Sequence, residues 1–159
     1  MKQRDASQLA RQLMAEHNMS DWAFGFNHRK RALGLCRYTE RRIELSIHFV
    51  LANDEAAVRD TILHEIAHVL AGPEAGHGNK WKTICRRIGA LPERCDHSAQ
   101  MPTGRWLASC PACGHLYTRH RKPLKGRQYM CRTCGPEVGR IEFKVAKPAL
   151  SLAKLREQR

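Results

Sequence analysis

The sequence predicts an α+β chain in two parts: a helical unit around a small antiparallel sheet, then a compact module built on four cysteines. Three observations carry this. A helical run that starts after Asn53 or Asp54 holds His64-Glu65-Ile66-Ala67-His68 at its middle. Three short alternating stretches precede that run. Two Cys-x-x-Cys pairs, Cys110/Cys113 and Cys131/Cys134, stand seventeen residues apart near the end.

Taken in order, Ser7 to Met19 reads as a first helix with Leu9, Leu13 and Met14 facing inward. Trp22 to Asn27, Leu33 to Tyr38 and Arg42 to Ile47 alternate as strands, with His28-Arg29-Lys30-Arg31 and Thr39-Glu40-Arg41 at the turns. Asn53 or Asp54 then offers an N-cap, and Glu55 in the first turn suits the helix dipole. Val58, Ile62, Leu63, Ile66, Val69 and Leu70 recur at helical spacing, so this helix should be largely buried. Gly72-Pro73 ends it. A further helix follows His77, with Trp81, Ile84, Cys85 and Ile88 as its apolar stripe and Gly89 as its C-cap. Ser98 to Gly104 is the expected linker. Residues 1–100, 101–147 and 148–159 are therefore expected to be the helical unit, the cysteine module and a basic tail.

The motif helix is where the chemistry lies. Residues four apart on a helix lie one above the other, so both imidazoles can face one ion. Glu65, beside the first of them, can take a proton from a water that the ion activates, the working arrangement of zinc peptidases. Two exposed surface histidines would be the plain alternative. A buried helix argues against it, because unpartnered polar groups are costly there. A catalytic zinc takes three protein ligands and leaves a position for water. Ala71 and Glu74 stand where a metzincin needs glycine and histidine, which excludes that class. His77, flanked by Gly76 and Gly78, is the preferred third ligand because glycines let the chain turn back sharply. Glu74 and Glu93 are the alternatives.

The cysteine pairs fit a four-cysteine zinc ribbon, in which each pair forms a tight turn and one ion joins the two. Gly114 and Gly135 follow the pairs directly and supply the backbone freedom such turns need. A site closed by four thiolates holds the fold and does no chemistry. Cys36, Cys85 and Cys95 fall outside this pattern and are expected to be reduced or buried thiols. An odd total of 7 cysteines also argues against a disulfide scaffold.

The 159 residues carry a formal net charge of +13. Residues 1–100 contribute +3 and residues 101–159 contribute +10, so the excess sits on the small module and its tail. That is the footprint of a phosphate-backbone partner, a nucleic acid bound single-stranded or through its backbone with little sequence preference. Arg119, Arg121, Lys122, Lys125 and Arg127 are the expected contacts. Tyr117 and Tyr129, interleaved with them, can stack on bases or simply fill a small core. The N-terminus lacks the apolar segment of a signal peptide and no run approaches membrane-spanning length, so a cytoplasmic protein is expected, including at the nucleoid.

His64-Glu65-Ile66-Ala67-His68 together with Gly76-His77-Gly78-Asn79-Lys80-Trp81-Lys82 resembles the SprT-like zinc metallopeptidases, which include the DNA-dependent protease Spartan. Gly89, Leu91, Pro92 and Arg94-Cys95-Asp96-His97 echo the end of their catalytic domain, and Thr118-Arg119-His120-Arg121 with Tyr129-Met130-Cys131 resembles their C-terminal ribbon. The segment between His68 and His77 is shorter here than is usual in the family. The resemblance implies a zincin-like fold, one catalytic and one structural zinc, and a peptidase acting on DNA-associated proteins, including those crosslinked to DNA. A nucleic-acid-binding protein with a zincin fold and little turnover is the alternative. The intact Glu65 favours the enzyme.

Overall fold

The computed structural model describes residues 1–94 and 98–146, which fall into two compact units meeting between Pro102 and Thr103. Helix α1, Gln3–Glu16, buries Ala6, Ala10, Leu13 and Met14 along one face. It begins and ends earlier than the apolar spacing predicts. Asn18 takes a left-handed conformation at φ 56, which a short polar side chain tolerates. The Met19 amide then turns back to the Met14 carbonyl at 2.9 Å, so Met19 enters the core instead of continuing the helix.

Strands β1 (Ala23–Asn27), β2 (Gly34–Arg37) and β3 (Arg42–Ser46) form a sheet in the order β1-β3-β2. The expected antiparallel sheet is in fact mixed: β1 runs parallel to β3, while β2 is antiparallel to it. Connection length explains the difference. The turn at residues 38–41 is tight and forces β2 and β3 to be neighbours, whereas residues 28–33 are long enough to pass over the central position. Ile43 and Leu45 face the core with Phe24 and Phe26 packed nearby. Glu44 alternates to the other face, where Arg37 Nε (3.4 Å), Arg42 Nε (3.2 Å) and Asn27 Nδ2 (3.3 Å) surround its carboxylate.

The third strand stops one residue before Ile47, because Ser46 caps a short helix, α2 (Ile47–Ala52), that the apolar pattern did not reveal. Six residues are too few for a helical period to show. Helix α3, Glu55–Ala71, opens on Asp54, whose Oδ1 accepts from the Ala57 amide at 2.9 Å. It buries Val58, Ile62, Leu63, Ile66 and Ala67, and closes at Gly72 with φ 88. A single 3-10 turn, Pro73–Ala75, leads to α4, Asn79–Ile88, which Gly89 ends in the left-handed region.

Beyond α4 the chain runs back over this unit. The Asn53 side chain holds Gln100 at two points: its amide donates to the Gln100 carbonyl and its oxygen accepts from the Gln100 amide, each at 2.8 Å. A third bond ties Asn53 to the Phe49 carbonyl at 2.7 Å. Cys95 and the rest of the Cys95-Asp96-His97 stretch lie outside the described residues, as does the tail from residue 147 onward.

In the second unit, β4 (Trp106–Ser109) lies between β5 (Leu116–Arg119) and β8 (Lys144–Val145), both antiparallel to it. Strands β6 (Tyr129–Cys131) and β7 (Gly139–Ile141) form a second ladder, joined by the short helix α5, Gly135–Val138. Its small core is Ala108, Cys110, Cys131 and Ile141, with Tyr117, Tyr129 and Phe143 against it. No helix among the described residues is long and apolar enough to cross a membrane.

Candidate functional site

Helix α3 sets His64 and His68 one turn apart, with ring centroids 5.0 Å from each other. The chain must reverse after Pro73–Ala75 to bring a third ring to them. Gly76, at φ 49, supplies that reversal. His77 then lies against both: its Nε2 is 3.1 Å from Nε2 of His68 and 3.2 Å from Nε2 of His64. A tetrahedral zinc with bonds of about 2.0–2.1 Å spaces its nitrogen ligands about 3.3–3.4 Å apart. The three nitrogens are close to that spacing, and the residues fit a metal ion. Among the described residues Glu74 and Glu93 do not join this cluster. Glu74 lies exposed on the 3-10 turn.

Electrostatics favour the same use. Burial, and then the neighbouring His68 and His77, hold His64 down at about 3. Burial and His77 hold His68 at about 4. Burial and the nearby Arg94 charge lower His77 as well. All three are neutral at pH 7, with lone pairs free for an ion.

Glu65 is 6% exposed and points from α3 toward β2. Gly34 receives it: a Cβ at that position would stand 2.5 Å from Glu65 Oε1 and 2.8 Å from its Cγ. Burial pushes the Glu65 carboxyl up to about 8. A cation bound at the histidines would favour its ionised form. Glu65 and the three histidines line one cleft of about 640 Å³. Gly34, Leu35 and Cys36 of β2, an edge strand of the sheet, form one wall, and Ala99 and Met101 also line it. Burial and the Glu65 charge raise the Cys36 thiol to about 11. Cys36 and the buried Cys85 are both free thiols.

The four cysteines of the second unit also converge, with sulfur atoms within 4.8 Å of one another. Cys113 and Cys131 are 3.7 Å apart. Bonds of about 2.3 Å to a tetrahedral zinc set sulfurs about 3.8 Å apart, so this set fits as well. The Tyr117 hydroxyl donates to Cys131 Sγ at 3.1 Å and holds that thiol down at about 5. Gly114 and Gly135, at φ 71 and 73, make the turn after each pair.

The five cationic candidates divide. Arg121, Lys122, Lys125 and Arg127 are exposed. Arg119 is half-buried, its guanidinium 4.8 Å from the Tyr129 ring centroid and 5.6 Å from that of Phe143. Tyr129 meets Phe143 edge-on and its hydroxyl accepts from the Leu124 amide, while the Tyr117 hydroxyl is committed to the cysteines. Both tyrosines thus work within the second unit.

The SprT-like family model matches residues 3–101, nearly the whole first unit. The chain belongs to the SprT-like family. It is similar to Protein SprT of Pseudomonas aeruginosa strain LESB58, 32% identical over 122 residues that make up 69% of this chain and 74% of that one. It is also similar to Protein SprT of Erwinia tasmaniensis, 28% identical over 141 residues, 82% of this chain and 83% of that one. Among solved structures, the metallopeptidase zymogen jannalysin of Methanocaldococcus jannaschii is a distant likeness (TM-score 0.46, 18% identity, 52% of this chain and 79% of that chain).

Two neighbours of the SprT-like site were not evident as such from sequence. Gly34 gave one signal, a lone glycine inside a strand pattern, which marks close approach by another group. Trp81 was evident only as part of an apolar stripe, yet its ring meets all three histidines.

Proposed function

We propose that this chain is a zinc-dependent endopeptidase acting on DNA-associated proteins, including those crosslinked to DNA. The observation that carries it is the buried Glu65 carboxyl in the same cleft as the three converging imidazoles. A closed structural site gains nothing from such a carboxylate. Zinc held by His64, His68 and His77 would supply Lewis acidity for the scissile carbonyl and the attacking water. Glu65 accepts the water's proton and returns it to the leaving amine. The outer edge of β2 offers main-chain groups with which an extended peptide can pair, laying its scissile bond across the cleft.

The second unit has the cations for a nucleic-acid anchor. Arg121, Lys122, Lys125 and Arg127 project around the β5–β6 connection and suit phosphate contacts that read backbone over sequence. Covalent linkage raises the local concentration of the peptidase near proteins on that DNA. The four-cysteine zinc holds this unit's fold. A protein with this fold that binds nucleic acid and turns over little is the second reading, supported by the concentration of charge.

Cleavage of casein and histone with and without single-stranded DNA tests both readings. Glu65→Gln should retain its metal and lose turnover on the order of a hundredfold or more. Neutralising Arg121, Lys122, Lys125 and Arg127 together should weaken DNA binding, flatten its salt dependence and remove any DNA stimulation. Wild-type turnover in Glu65→Gln, beside a chelator control, would exclude Glu65 as the base. Cleavage indifferent to nucleic acid would leave a plain peptidase.

A further inference from the structure

The outer nitrogen of a metal-binding imidazole is ordinarily held by a carboxylate, a carbonyl or a water, which fixes the ring's orientation. Among the described residues, the hydrogen-bond geometry of His64, His68 and His77 is confined to their mutual Nε2 contacts. No protein acceptor there holds any of the three Nδ1 atoms. Among the described residues, what the protein itself brings to bear on the rings is therefore packing.

We infer that Trp81 supplies it, as a positioning residue that orients the metal site by packing alone. This rests on the histidine cluster being a metal site. The Trp81 indole lies 4.7 Å from the His64 ring centroid at 65°, 4.7 Å from His77 at 80°, and 5.4 Å from His68 in a stacked arrangement at 27°. It is 0% exposed, and it does not line the cleft that the imidazoles line. The indole therefore backs the rings from within the unit, and their metal-facing nitrogens turn outward. His64 and His68 arrive on α3, while His77 comes from a glycine-flanked turn with the most conformational freedom of the three. One flat side chain on the following helix contacts all of them and sets their mutual angles.

The indole nitrogen supports a role based on breadth. Trp81 Nε1 is buried and has no acceptor among the described residues. Burying an unpaired N–H is unfavourable, and a smaller apolar ring would avoid it. What tryptophan adds is a two-ring surface wide enough to meet three imidazoles, with edge-to-face contacts that aromatic quadrupoles favour.

The test compares the full-length wild type with Trp81→Leu and Trp81→Phe. Zinc affinity is measured by competition with a chelating dye, and cadmium NMR resolves nitrogen-ligated from sulfur-ligated metal. Trp81→Leu should weaken the histidine site on the order of ten- to a hundredfold and shift or broaden its resonance, leaving the sulfur-ligated resonance unchanged. Trp81→Phe keeps much of the volume and should weaken the site by about threefold or more. If the leucine variant loses helical circular dichroism, the phenylalanine variant decides. A folded variant with wild-type affinity and an unmoved resonance overturns the proposal. A wild type with no nitrogen-ligated resonance removes the metal site itself, and the role of Trp81 with it.

Discussion

The Tyr38 hydroxyl donates a 2.7 Å hydrogen bond to the main-chain carbonyl of His68, reaching from the turn after β2 to the last turn of α3. The same carbonyl accepts from the Gly72 amide at 3.0 Å, so the end of the motif helix is held by its own cap and by the sheet. Trp22 packs edge-on against the Tyr38 ring and keeps it in place.

Tyr38→Phe removes the bond to His68 and the hydroxyl's contact with the Cys36 thiol, and leaves the ring packing and the Gly72 bond. The expected loss is about 0.5–1.5 kcal/mol of stability, read as a lower urea midpoint with an unchanged slope. Metal content at the histidines should stay near wild type. A variant as stable as the parent would mean that this bond adds nothing over water.

Gly34→Ala tests the space that the Glu65 carboxyl, the proposed base, occupies. The Gly34 backbone lies in a strand, so alanine meets no conformational penalty there. Its methyl would meet Glu65 Oε1 and Cγ within 2.5–2.8 Å. Glu65 must move, and turnover should drop about tenfold or more while metal stoichiometry holds. Full activity with native metal content would show that the base tolerates displacement.

Two candidate metal sites of different kinds predict separable losses. His64→Ala or His68→Ala should remove one metal equivalent and leave the cysteine unit folded. Cys131→Ser opens a closed four-thiolate set, so that unit should unfold while the first keeps its helical signal. One metal per purified native chain, by elemental analysis, would count against the pair.

In metal-stripped protein the first unit should be most stable near pH 6–7. His64 and His68 are lowered on folding, so their contribution is complete above the ordinary histidine value of 6.5 and fades as pH falls toward about 4 and about 3. Glu65 is raised, so its contribution is complete below 4.5 and is lost as pH rises through about 8. His77 is lowered too, so three histidines gain and Glu65 loses as pH rises from 4.5 to 6.5; above that the Glu65 loss stands alone. Helical melting temperatures from pH 5 to 9 should trace that maximum. In Glu65→Gln the fall above pH 7 should shrink. A monotonic profile would contradict the assigned directions.

Much of this was legible because it depends on local spacing. The four-residue interval of His64 and His68, the glycines around His77 and the two cysteine pairs each constrain geometry over a few residues. What escaped depends on partners far apart in sequence. The parallel pairing of β1 with β3 follows from how long each connection is, and alternation within a strand is blind to that. Trp81 satisfies an apolar stripe equally well whether it meets leucines or imidazoles. Arg119 reads as a surface cation until Tyr129 and Phe143, ten and twenty-four residues later, are seen beside it. The short helix at Ile47–Ala52 is set by Ser46 capping and by burial of Phe49 and Val50, signals too brief for periodicity.

The two-point grip of Asn53 on Gln100 fixes where this protein can be divided. Ala99 and Met101, which line the cleft, lie on either side of the gripped residue, so that part of the wall is fastened by a side chain from the first unit. A chain ended just after Pro102 would keep every cleft residue and the clasp that holds them. One ended before Gln100 would lose Met101 and the clasp. The module that follows could thus be exchanged for another without disturbing the histidine cleft.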